Sequence, residues 1–553
     1  MKKISGFRFL LILIVSLGLF LRFVALGDNP SGFHADEAAY GYNAYSIIQT
    51  GKDEYGKSFP IVLKSFGDYK PAIYSYIDVP FVYLFGLTPF AVRFPSALFG
   101  SLTVLLIYFL ALNLTASRKV AIISAFLLAI SPWHLALSRT TSEVVISLFF
   151  IMLMSYALLT LEKRFSRLWM FVALLSGVFA IGTYTASRFF VVIISFLFFA
   201  FSVYKKRKYS AKNKYALYVM ITLLVFGIIY STIASVSRFS QISIFTDSET
   251  KLVLEEQIRE DEGTHVMVTR FFHNKLVNYS RTTLGNFGQY FTLDFLFLNG
   301  GAPQRLAVPN AGLFYFWTAP FLLIGIYQAV RRRNRYLSLL LAWWVLTLIP
   351  VAFTFDESPN LYRAAVTIPP ILILSALGIY EFFNYIKVKR FAKFILAAVI
   401  LVGIYEFLYF HHQYFVHQNL HRPWYRGFAY KALVKDLNKF LPSYEKVLIT
   451  KSKSSPYIYI LFYDKFSPKR YQEIGSPRDL DHRGIDKYYF ASHDCPLNAG
   501  INGEDLPQGD KSILYVNNGN CLVPKNARLL SDIYWEDGTI AFRIVEFVGE
   551  PVR

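Results

Sequence analysis

The chain has 553 residues, of which 54% are hydrophobic and only 17% are charged. Soluble globular proteins usually carry close to a quarter charged residues, so this composition excludes an ordinary soluble protein and indicates a membrane protein. The net charge is +20, but the basic residues cluster in short loops between apolar runs, which favours membrane topology signals over a nucleic-acid-binding surface.

Eleven apolar runs are each about as long as a helix must be to cross a bilayer. The first run follows Lys2 and Lys3 and has no small-x-small cleavage site, so we expect a retained helix and not a signal peptide. The pattern predicts a mainly α, polytopic transmembrane helical bundle of about eleven helices. The predicted spans are 7–26, 95–113, 120–137, 143–161, 168–185, 189–204, 215–236, 311–330, 336–355, 364–385 and 391–410.

Basic clusters lie before the first predicted span and after the second, fourth, sixth, eighth and tenth spans. With this span count, all the clusters lie on one side of the membrane, and the positive-inside rule makes that side the cytoplasm. The sequence therefore predicts an integral plasma (cell) membrane protein with a cytoplasmic N-terminus. The clusters are 2–8, 118–119, 163–167, 205–214, 331–335 and 387–390.

Three longer segments fall on the opposite, extracytoplasmic side. The loop 27–94 contains two amphipathic stretches, near 37–49 and 71–87, that we expect to lie in the membrane interface. A second loop covers 237–310. The tail alternates strand and helix patterns and predicts a small α/β domain. The predicted domains are therefore a transmembrane catalytic domain over 1–410, which includes both loops, and an extracytoplasmic α/β domain over 411–553.

The cysteines and histidines leave alternatives open. Cys495 and Cys521 are the two cysteines of the chain, and they could form a disulfide in an extracytoplasmic tail or remain two free thiols. No CxxC motif is present, which argues against a structural zinc site. Four histidines follow the last predicted span, where interfacial histidines are favoured over a zinc site: His411, His412, His417 and His421.

The first outer loop contains an acidic pair directly after the first span, in the stretch Gly32–Tyr40. One interpretation is helix capping, with Asp36 as the N-cap and Glu37 in the first turn. The other is a carboxylate that takes a proton from an attacking hydroxyl. In the same loop, Lys70 is either a snorkelling interfacial lysine or a cation for a phosphate near the membrane surface.

Charged residues recur on the same face at three later points. Glu143 stands four residues after Arg139, so the two could form an ion pair within one helix, but an acid that opens a span favours a functional role. Arg188 and Arg363 lie at the outer ends of later spans. They are either interfacial anchors or candidates for binding an anionic ligand, because outer-face basic residues run against the positive-inside trend.

In this order and topology, these motifs resemble those of GT-C glycosyltransferases that use polyprenyl-phosphate sugars. Within that group, the chain is most similar to the protein O-mannosyltransferases and aminoarabinose transferases. The resemblance rests on Asp36-Glu37, Lys70-Pro71 and the segment 138–143, and it covers nearly all of the membrane part. The chain departs from the family pattern at two positions, because Ala72 replaces a second proline and Glu143 stands where Asp is frequent.

The resemblance implies a role for each matching residue. Asp36 would be the general base on the acceptor hydroxyl, with Glu37 beside it in support. Lys70 would hold the donor phosphate, with Arg363 as a further phosphate contact, and Glu143 would be the second acidic residue of the site. The reaction would be a single inverting displacement at the anomeric carbon.

Other side chains of the same face complete the predicted site. No cofactor is required, because Lys70 and the arginines can balance the phosphate charge, although the site is compatible with a divalent metal. Arg188 and Arg139 are further candidates for binding the donor phosphate. The predicted substrate-binding residues are His34, Tyr40, Tyr69, His134 and Tyr184.

These expectations describe a membrane glycosyltransferase that moves a hexose, with mannose as a candidate, from a polyprenyl-phosphate carrier to an extracytoplasmic protein Ser/Thr, lipid or glycan. Its partners would be the lipid-linked sugar, the acceptor and membrane lipid, without nucleic acid. The alternative is a transporter or flippase for a lipid-linked saccharide, which predicts polar residues through the midplane and repeated halves, and the sequence shows neither. A non-catalytic scaffold would leave the charged set without a purpose.

Overall fold

The structure is a computed structural model that describes residues 6–66, 68–164, 166–206, 211–233, 241–387, 391–451, 454–475, 484–497 and 511–548. Parts of the basic clusters at 2–8, 205–214 and 387–390 lie outside these residues.

Helices dominate the described part of the chain. Numbered in chain order, they are α1 (Gly6–Phe23), α2 (Ala35–Thr50), α3 (Ile73–Phe85), α4 (Pro89–Thr115), α5 (Arg118–Ile130), α6 (Pro132–Ser138), α7 (Glu143–Lys163), α8 (Arg167–Thr183), α9 (Ser187–Lys206), α10 (Ala211–Ile233), α11 (Ser248–Glu260), α12 (Val266–Phe272), α13 (Lys275–Gln289), α14 (Ala319–Arg331), α15 (Arg335–Ala352), α16 (Leu361–Ala364), α17 (Ile368–Ile386), α18 (Ala392–His412), α19 (Gln418–Leu420), α20 (Tyr430–Phe440), α21 (Pro456–Tyr463) and α22 (Pro468–Ile474).

The strands form two sheets. A two-stranded hairpin in the first loop pairs β1 (Val62–Ser65) with β2 (Asp68–Pro71). A six-stranded sheet in the tail has the order β4-β5-β3-β6-β8-β7, in which β3 is parallel to β5 and β6 and the other pairs are antiparallel. Its strands are β3 (Lys446–Thr450), β4 (Gly484–Ile485), β5 (Tyr488–Ala491), β6 (Ile513–Asn518), β7 (Ala527–Tyr534) and β8 (Ile540–Phe547). The predicted α/β tail is therefore confirmed, although β4 and β7 were not predicted.

The chain divides into two compact units. The membrane unit comprises Met1–Val24 and Ser96–Gln413, and the mixed unit comprises Ala25–Pro95 and Tyr414–Arg553. The end of the membrane unit lies close to the predicted boundary at 410. The first outer loop, however, groups with the tail and not with the membrane helices to which the sequence-based division assigned it, because its helix α2 packs against α21 and α22.

A helix occupies each of the eleven predicted apolar runs, and the mainly α membrane bundle is confirmed. Among the described residues, six helical segments are long and apolar enough to cross a bilayer, or seven if the bent pair α5 and α6 counts as one span. The apolar helices within α8, α9 and α10 are shorter, and α14 has 13 residues. The number of eleven spans therefore stays a prediction.

The bend between α5 and α6 explains a buried cation in the membrane unit. Pro132 has no N–H for the carbonyl of Leu128, and the helix axis turns by 54° there. Arg22 of α1 supplies replacement donors to the carbonyls of Leu128 and Ala129, each at 3.1 Å. Its Nη2 also lies 2.8 Å from Nδ1 of His134. Arg22 therefore satisfies the backbone groups of a broken helix that water cannot reach.

Most residues of helix α2 are buried by protein. Ala38, Ala39 and Ala44 present small side chains that let α3 and the tail helices approach closely. Tyr42 donates a hydrogen bond to the carbonyl of Phe466 in the tail. Protein surrounds most of α2 within the mixed unit, and its place in the membrane interface stays a prediction.

Cys495 and Cys521 form a disulfide in the tail, which decides between the two alternatives that the sequence left open. The bond closes a loop between residues 26 positions apart. A loop of this length contributes about 3 kcal/mol through the reduced entropy of the unfolded chain.

We expect the double variant Cys495→Ser/Cys521→Ser to unfold at a thermal midpoint roughly 6–12 °C below that of the wild type in detergent. Reductant should lower the midpoint of the wild type and leave the variant unchanged; equal midpoints without reductant would contradict the prediction.

Candidate active site

The acidic pair of the first loop stands at the start of α2. His34 caps this helix, because its Nδ1 accepts the backbone N–H of Asp36 at 3.1 Å. The carboxylate of Glu37 accepts the backbone N–H of His34 at 3.2 Å and completes a capping box. The N-cap of α2 is therefore His34. The capping interpretation of the sequence, which assigned the N-cap to Asp36, is wrong on this point. The two carboxylates of the pair accordingly have different partners.

Glu37 is buried and forms a two-point ion pair with Arg93. The guanidinium donates to the carboxylate through Nε at 3.1 Å and through Nη2 at 3.0 Å. The same guanidinium donates to the carbonyls of Leu26, Pro30 and Gly32. Both side chains are nearly inaccessible, so this pair fixes the loop that leads into α2 and does not face a substrate.

Gly32 shows how closely the first loop and the tail pack within the mixed unit. Its φ of +77° is one that other residues rarely adopt, and a Cβ there would lie 2.7 Å from the carbonyl oxygen of Arg426. Arg426 in turn donates through Nε to the carbonyl of Ser31 at 3.0 Å. Burial lowers the pKa of the Arg426 guanidinium to about 10, and it remains charged at neutral pH.

Asp36 faces Lys70, which comes from strand β2. Lys70 Nζ donates a short hydrogen bond to Oδ1 of Asp36. The lysine side chain is 10% exposed and the aspartate side chain is 33% exposed, so the carboxylate is the more accessible partner. The structure therefore brings together the predicted general base and the predicted phosphate-binding cation, which are 34 residues apart in the chain.

Aromatic rings surround the ion pair. Lys70 Nζ lies 5.5 Å from the ring centre of Tyr40 and 5.3 Å from that of Phe66. Tyr40 is buried and packs on Tyr74. Its ring therefore packs beside Lys70 and has little surface for a substrate. Tyr69 precedes Lys70 on β2 and points to the opposite face of the hairpin, because side chains alternate along a strand.

The tail completes the surroundings of Asp36 in the mixed unit. Tyr457 of α21 packs on Phe66, with ring centres 6.1 Å apart. Burial, followed by the neighbouring phenol of Tyr430, raises the pKa of Tyr459, and the charge of Asp36 acts in the same direction. Tyr459 is therefore a neutral phenol close to the carboxylate. The tail domain thus forms part of the wall around the predicted base.

A second polar cluster lies in the membrane unit, at the start of α7. The Tyr362 hydroxyl donates a short hydrogen bond to Glu143. The ring of Tyr362 packs edge-on against Tyr184, with ring centres 5.5 Å apart. Two predicted residues, Glu143 and Tyr184, are therefore linked through a tyrosine that the sequence did not single out.

Two arginines of the membrane unit that are predicted to lie on the outer face, Arg188 and Arg363, have different surroundings. Arg363 donates to the carboxylate of Asp356 at 2.8 Å and to the hydroxyl of Thr354 at 3.0 Å, so its charge is balanced within its own loop. Arg188 lies at the start of α9 and donates to Ser231 of α10 at 2.6 Å, while its Nε is buried and has no hydrogen-bond partner among the described residues. Arg188 is thus a partly exposed cation with a neutral partner, whereas Arg363 already has an acidic partner.

Arg139 and His134 lie inside the membrane unit and serve its architecture. Arg139 is 1% exposed and donates to the carbonyls of Leu21 and Val24, both at 2.7 Å. His134 is fully buried between Arg22 and Ser138. The structure therefore argues against phosphate binding by Arg139 and substrate binding by His134, because neither side chain has a surface to offer.

Sequence reasoning missed two residues of these clusters, Arg93 and Tyr362. Arg93 is a basic residue just before a predicted span on the outer side, where the positive-inside trend disfavours it, so it carried the same signal as Arg188 and Arg363. Tyr362 directly precedes Arg363. The Tyr362 hydroxyl donates to Glu143 of another helix, and no pattern in the sequence predicts such a contact between residues far apart in the chain.

The Asp36–Lys70 arrangement can perform acid–base chemistry beside an anion. A carboxylate at the start of a helix, held by backbone and lysine contacts, can accept a proton from a hydroxyl. The lysine can interact with a phosphate without metal. Among the described residues, no group of three or more His, Cys, Asp or Glu side chains is arranged to hold a metal ion.

Comparison with known proteins gives a consistent result for the fold. Residues 12–238 match the family described as dolichyl-phosphate-mannose-protein mannosyltransferase. No curated protein sequence matches the chain at a significant level. The archaeal oligosaccharyltransferase AglB from Archaeoglobus fulgidus is 16% identical over 83% of this chain, with a TM-score of 0.49, and the chain spans 63% of AglB.

The similarity to ArnT from Cupriavidus metallidurans is more complete. The apo structure of ArnT is 12% identical over 97% of this chain and 98% of ArnT, with a TM-score of 0.55. The structure of ArnT bound to undecaprenyl phosphate is 13% identical over 96% of this chain and 97% of ArnT, with a TM-score of 0.54. The chain is therefore an integral membrane protein of the GT-C glycosyltransferase fold, and its residues 12–238 are similar in sequence to the protein mannosyltransferase family.

Proposed function

We propose that this protein transfers a hexose from a polyprenyl-phosphate carrier to an acceptor on the extracytoplasmic side of the membrane, with Asp36 as the general base. The observation that carries the proposal is the Asp36–Lys70 pair, a partly exposed carboxylate beside a lysine that is held by two aromatic rings. The GT-C fold supports a glycosyltransferase, and the ArnT structure with undecaprenyl phosphate supports a lipid carrier. The mannosyltransferase family description makes mannose the first sugar to test.

In the proposed reaction, Lys70 binds the phosphate of the donor. Asp36 accepts the proton of the acceptor hydroxyl as its oxygen attacks the anomeric carbon, and the bond from that carbon to the phosphate oxygen breaks. The phosphate leaves with the electron pair of this bond, so the configuration of the anomeric carbon inverts in one step. Phosphate binding by Lys70 would release Asp36 from its ion pair and expose the base.

Glu143 and Arg188 are assigned supporting roles in this proposal. Glu143 with Tyr362 would orient a hydroxyl of the sugar or acceptor, since a carboxylate and a phenol offer both an acceptor and a donor. Arg188, which donates to Ser231 within the membrane unit, stays a predicted phosphate-binding residue. Arg363, which Asp356 already neutralises, is assigned the orientation of its own loop.

The disulfide supports the proposed location. Disulfides form and persist outside the cytoplasm, and the bonded cysteines belong to the same unit as Asp36 and Lys70. The site would therefore face the extracytoplasmic side, and the N-terminus would be cytoplasmic, as the basic clusters predict. A protein Ser/Thr, a lipid or a glycan on that side would provide the acceptor hydroxyl.

The test is transfer by the purified protein. Radiolabelled polyprenyl-phosphate sugars, with the mannose donor first, would be supplied together with an extract of cell-envelope acceptors. We expect label to move from the lipid to an acceptor, and the product anomer to be opposite to the donor anomer. If well-folded protein transfers no sugar from any donor of the panel, the proposal is wrong, and a flipping assay with the same lipids would follow.

A further inference from the structure

The loop that follows α10 contains an exposed apolar segment that the proposed reaction does not use. This segment, residues 263–293, includes α12 and α13 and is called the apolar hairpin. Val266, Met267, Phe271, Phe272 and Leu276 are each between 58% and 77% exposed. Large apolar side chains that lie side by side in water are unfavourable, and such patches mark interaction surfaces.

The charge pattern distinguishes this segment from its neighbour. The apolar hairpin contains Arg270, Lys275 and Arg281 and no acidic residue. The preceding stretch 247–262, which includes α11, carries seven acidic residues against two basic ones. A segment that combines exposed apolar side chains with basic residues suits the boundary between acyl chains and anionic headgroups, whereas the acidic stretch suits water.

Contacts within the membrane unit hold the hairpin at the end of a membrane span. Asn286 donates to the carbonyls of Ala352 and Thr354, each at 3.3 Å. These carbonyls lie at the C-terminal end of helix α15, which is long and apolar enough to cross a bilayer. Phe291 packs on Trp344 of the same helix, with ring centres 5.5 Å apart. The base of the hairpin is therefore continuous with the surface that α15 presents at the membrane.

Contacts with α11 give the hairpin a defined shape. Asn278 donates to the carbonyl of Thr250 at 2.8 Å. His273 lies 3.2 Å from Gln257 and 3.5 Å from Asp261, at the junction between α12 and α13. These contacts involve the polar side chains and leave the apolar ones on the outside. The exposure therefore belongs to a folded element and not to an extended loop.

We propose that the apolar hairpin binds the lipid leaflet next to it, with the side chains of α12 and of the start of α13 immersed among the acyl chains. Arg270, Lys275 and Arg281 then lie at the level of the headgroup phosphates. The lipid surface is the occupant that the observations favour, because the hairpin is held at the end of a span and its charge complements anionic lipid. This inference is independent of the sugar, the acceptor and the proposed base.

The test measures the immersion depth of single positions in the full-length protein. Because the two native cysteines are bonded to each other, an introduced cysteine is the reactive thiol for a nitroxide spin label. The variants Met267→Cys, Phe271→Cys and Leu276→Cys would be labelled and placed in nanodiscs that contain phosphatidylglycerol. Leu252→Cys on α11 is the matched control, since Leu252 is also an exposed leucine but lies in the acidic stretch.

Collision rates of the label with oxygen and with a water-soluble nickel chelate report its surroundings. We expect oxygen to collide more often than the chelate at the three hairpin positions, and the order to be reversed at Leu252→Cys. If the chelate collides with labels at the hairpin positions as often as with the label at Leu252→Cys, the proposal is wrong. Protection from both reagents would overturn it as well, because it would mean that protein, such as a second copy of the chain, covers the hairpin.

Discussion

Replacing Asp36 by asparagine is expected to lower the rate of sugar transfer by about 10²- to 10⁴-fold, the usual contribution of a positioned general base. The substitution preserves the size of the side chain and an oxygen that can accept from Lys70, so the folded structure should persist. Donor binding should persist too, because removal of a negative charge beside the phosphate site favours an anionic ligand. The measurement is kcat for transfer together with the Kd for the polyprenyl-phosphate donor.

Two comparisons separate a catalytic role of Asp36 from a structural one. Lys70→Met should weaken donor binding by roughly tenfold or more, since a hydrogen bond to a charged group is lost. Asp486→Asn is the matched control, because Asp486 is an aspartate of the same unit that pairs with the exposed Arg470. It should leave both quantities unchanged. Retention of wild-type kcat by Asp36→Asn would eliminate Asp36 as the base, whatever happens to binding.

Replacing Arg93 by methionine is expected to destabilise the mixed unit by about 3–5 kcal/mol, because it leaves the buried carboxylate of Glu37 without a counter-charge. For a domain of this size, such a loss lowers the thermal midpoint by roughly 6–20 °C. The carbonyls of Leu26, Pro30 and Gly32 also lose their donors. The measurement is thermal unfolding of the purified protein in detergent.

The control for Arg93 is another ion pair of the same unit. Arg528 pairs with Glu546 but is 68% exposed, so Arg528→Met should cost less than about 1 kcal/mol. The double variant Arg93→Met/Glu37→Leu should recover only part of the loss, because it removes the bare carboxylate but not the unpaired carbonyls. Equal midpoints for Arg93→Met and Arg528→Met would show that the buried pair does not hold the loop in place.

The helices of the membrane unit could be predicted from the sequence because the cause of a helical apolar run is local. Each apolar run reports directly on burial in lipid, and every run predicted from the sequence contains a helix. The strands at 446–450 and 540–547 were also predictable, since alternating side chains leave a pattern in the sequence. The grouping of the first loop with the tail was not, because it depends on contacts such as that of Tyr42 with Phe466, which are far apart in the chain.

For the candidate site, too, the sequence predicted the candidate residues, whereas the folded chain decided their surroundings. Charged residues on the predicted outer face drew attention to Asp36, Lys70, Glu143, Arg188 and Arg363, because a carboxylate can act as a base, a cation can bind phosphate, and outer arginines run against the positive-inside trend. The same reasoning could not separate Arg188 from Arg139, although Arg188 is partly exposed and donates to a serine, whereas Arg139 is 1% exposed and donates to backbone carbonyls. Solvent exposure and hydrogen-bond partners, which decide whether a cation can meet a ligand, belong to the folded chain.

The sequence by itself determined the class of the protein, its helices, its α/β tail and the residues worth testing, because hydropathy and charge act through the local composition of the chain. Only the tertiary structure decided which carboxylate has which partner. Asp36 and Glu37 are neighbours in the chain, yet one faces Lys70 at a partly open surface and the other is enclosed with Arg93. Successive residues of a helix point about 100° apart, so adjacent side chains enter different surroundings that their spacing alone does not reveal.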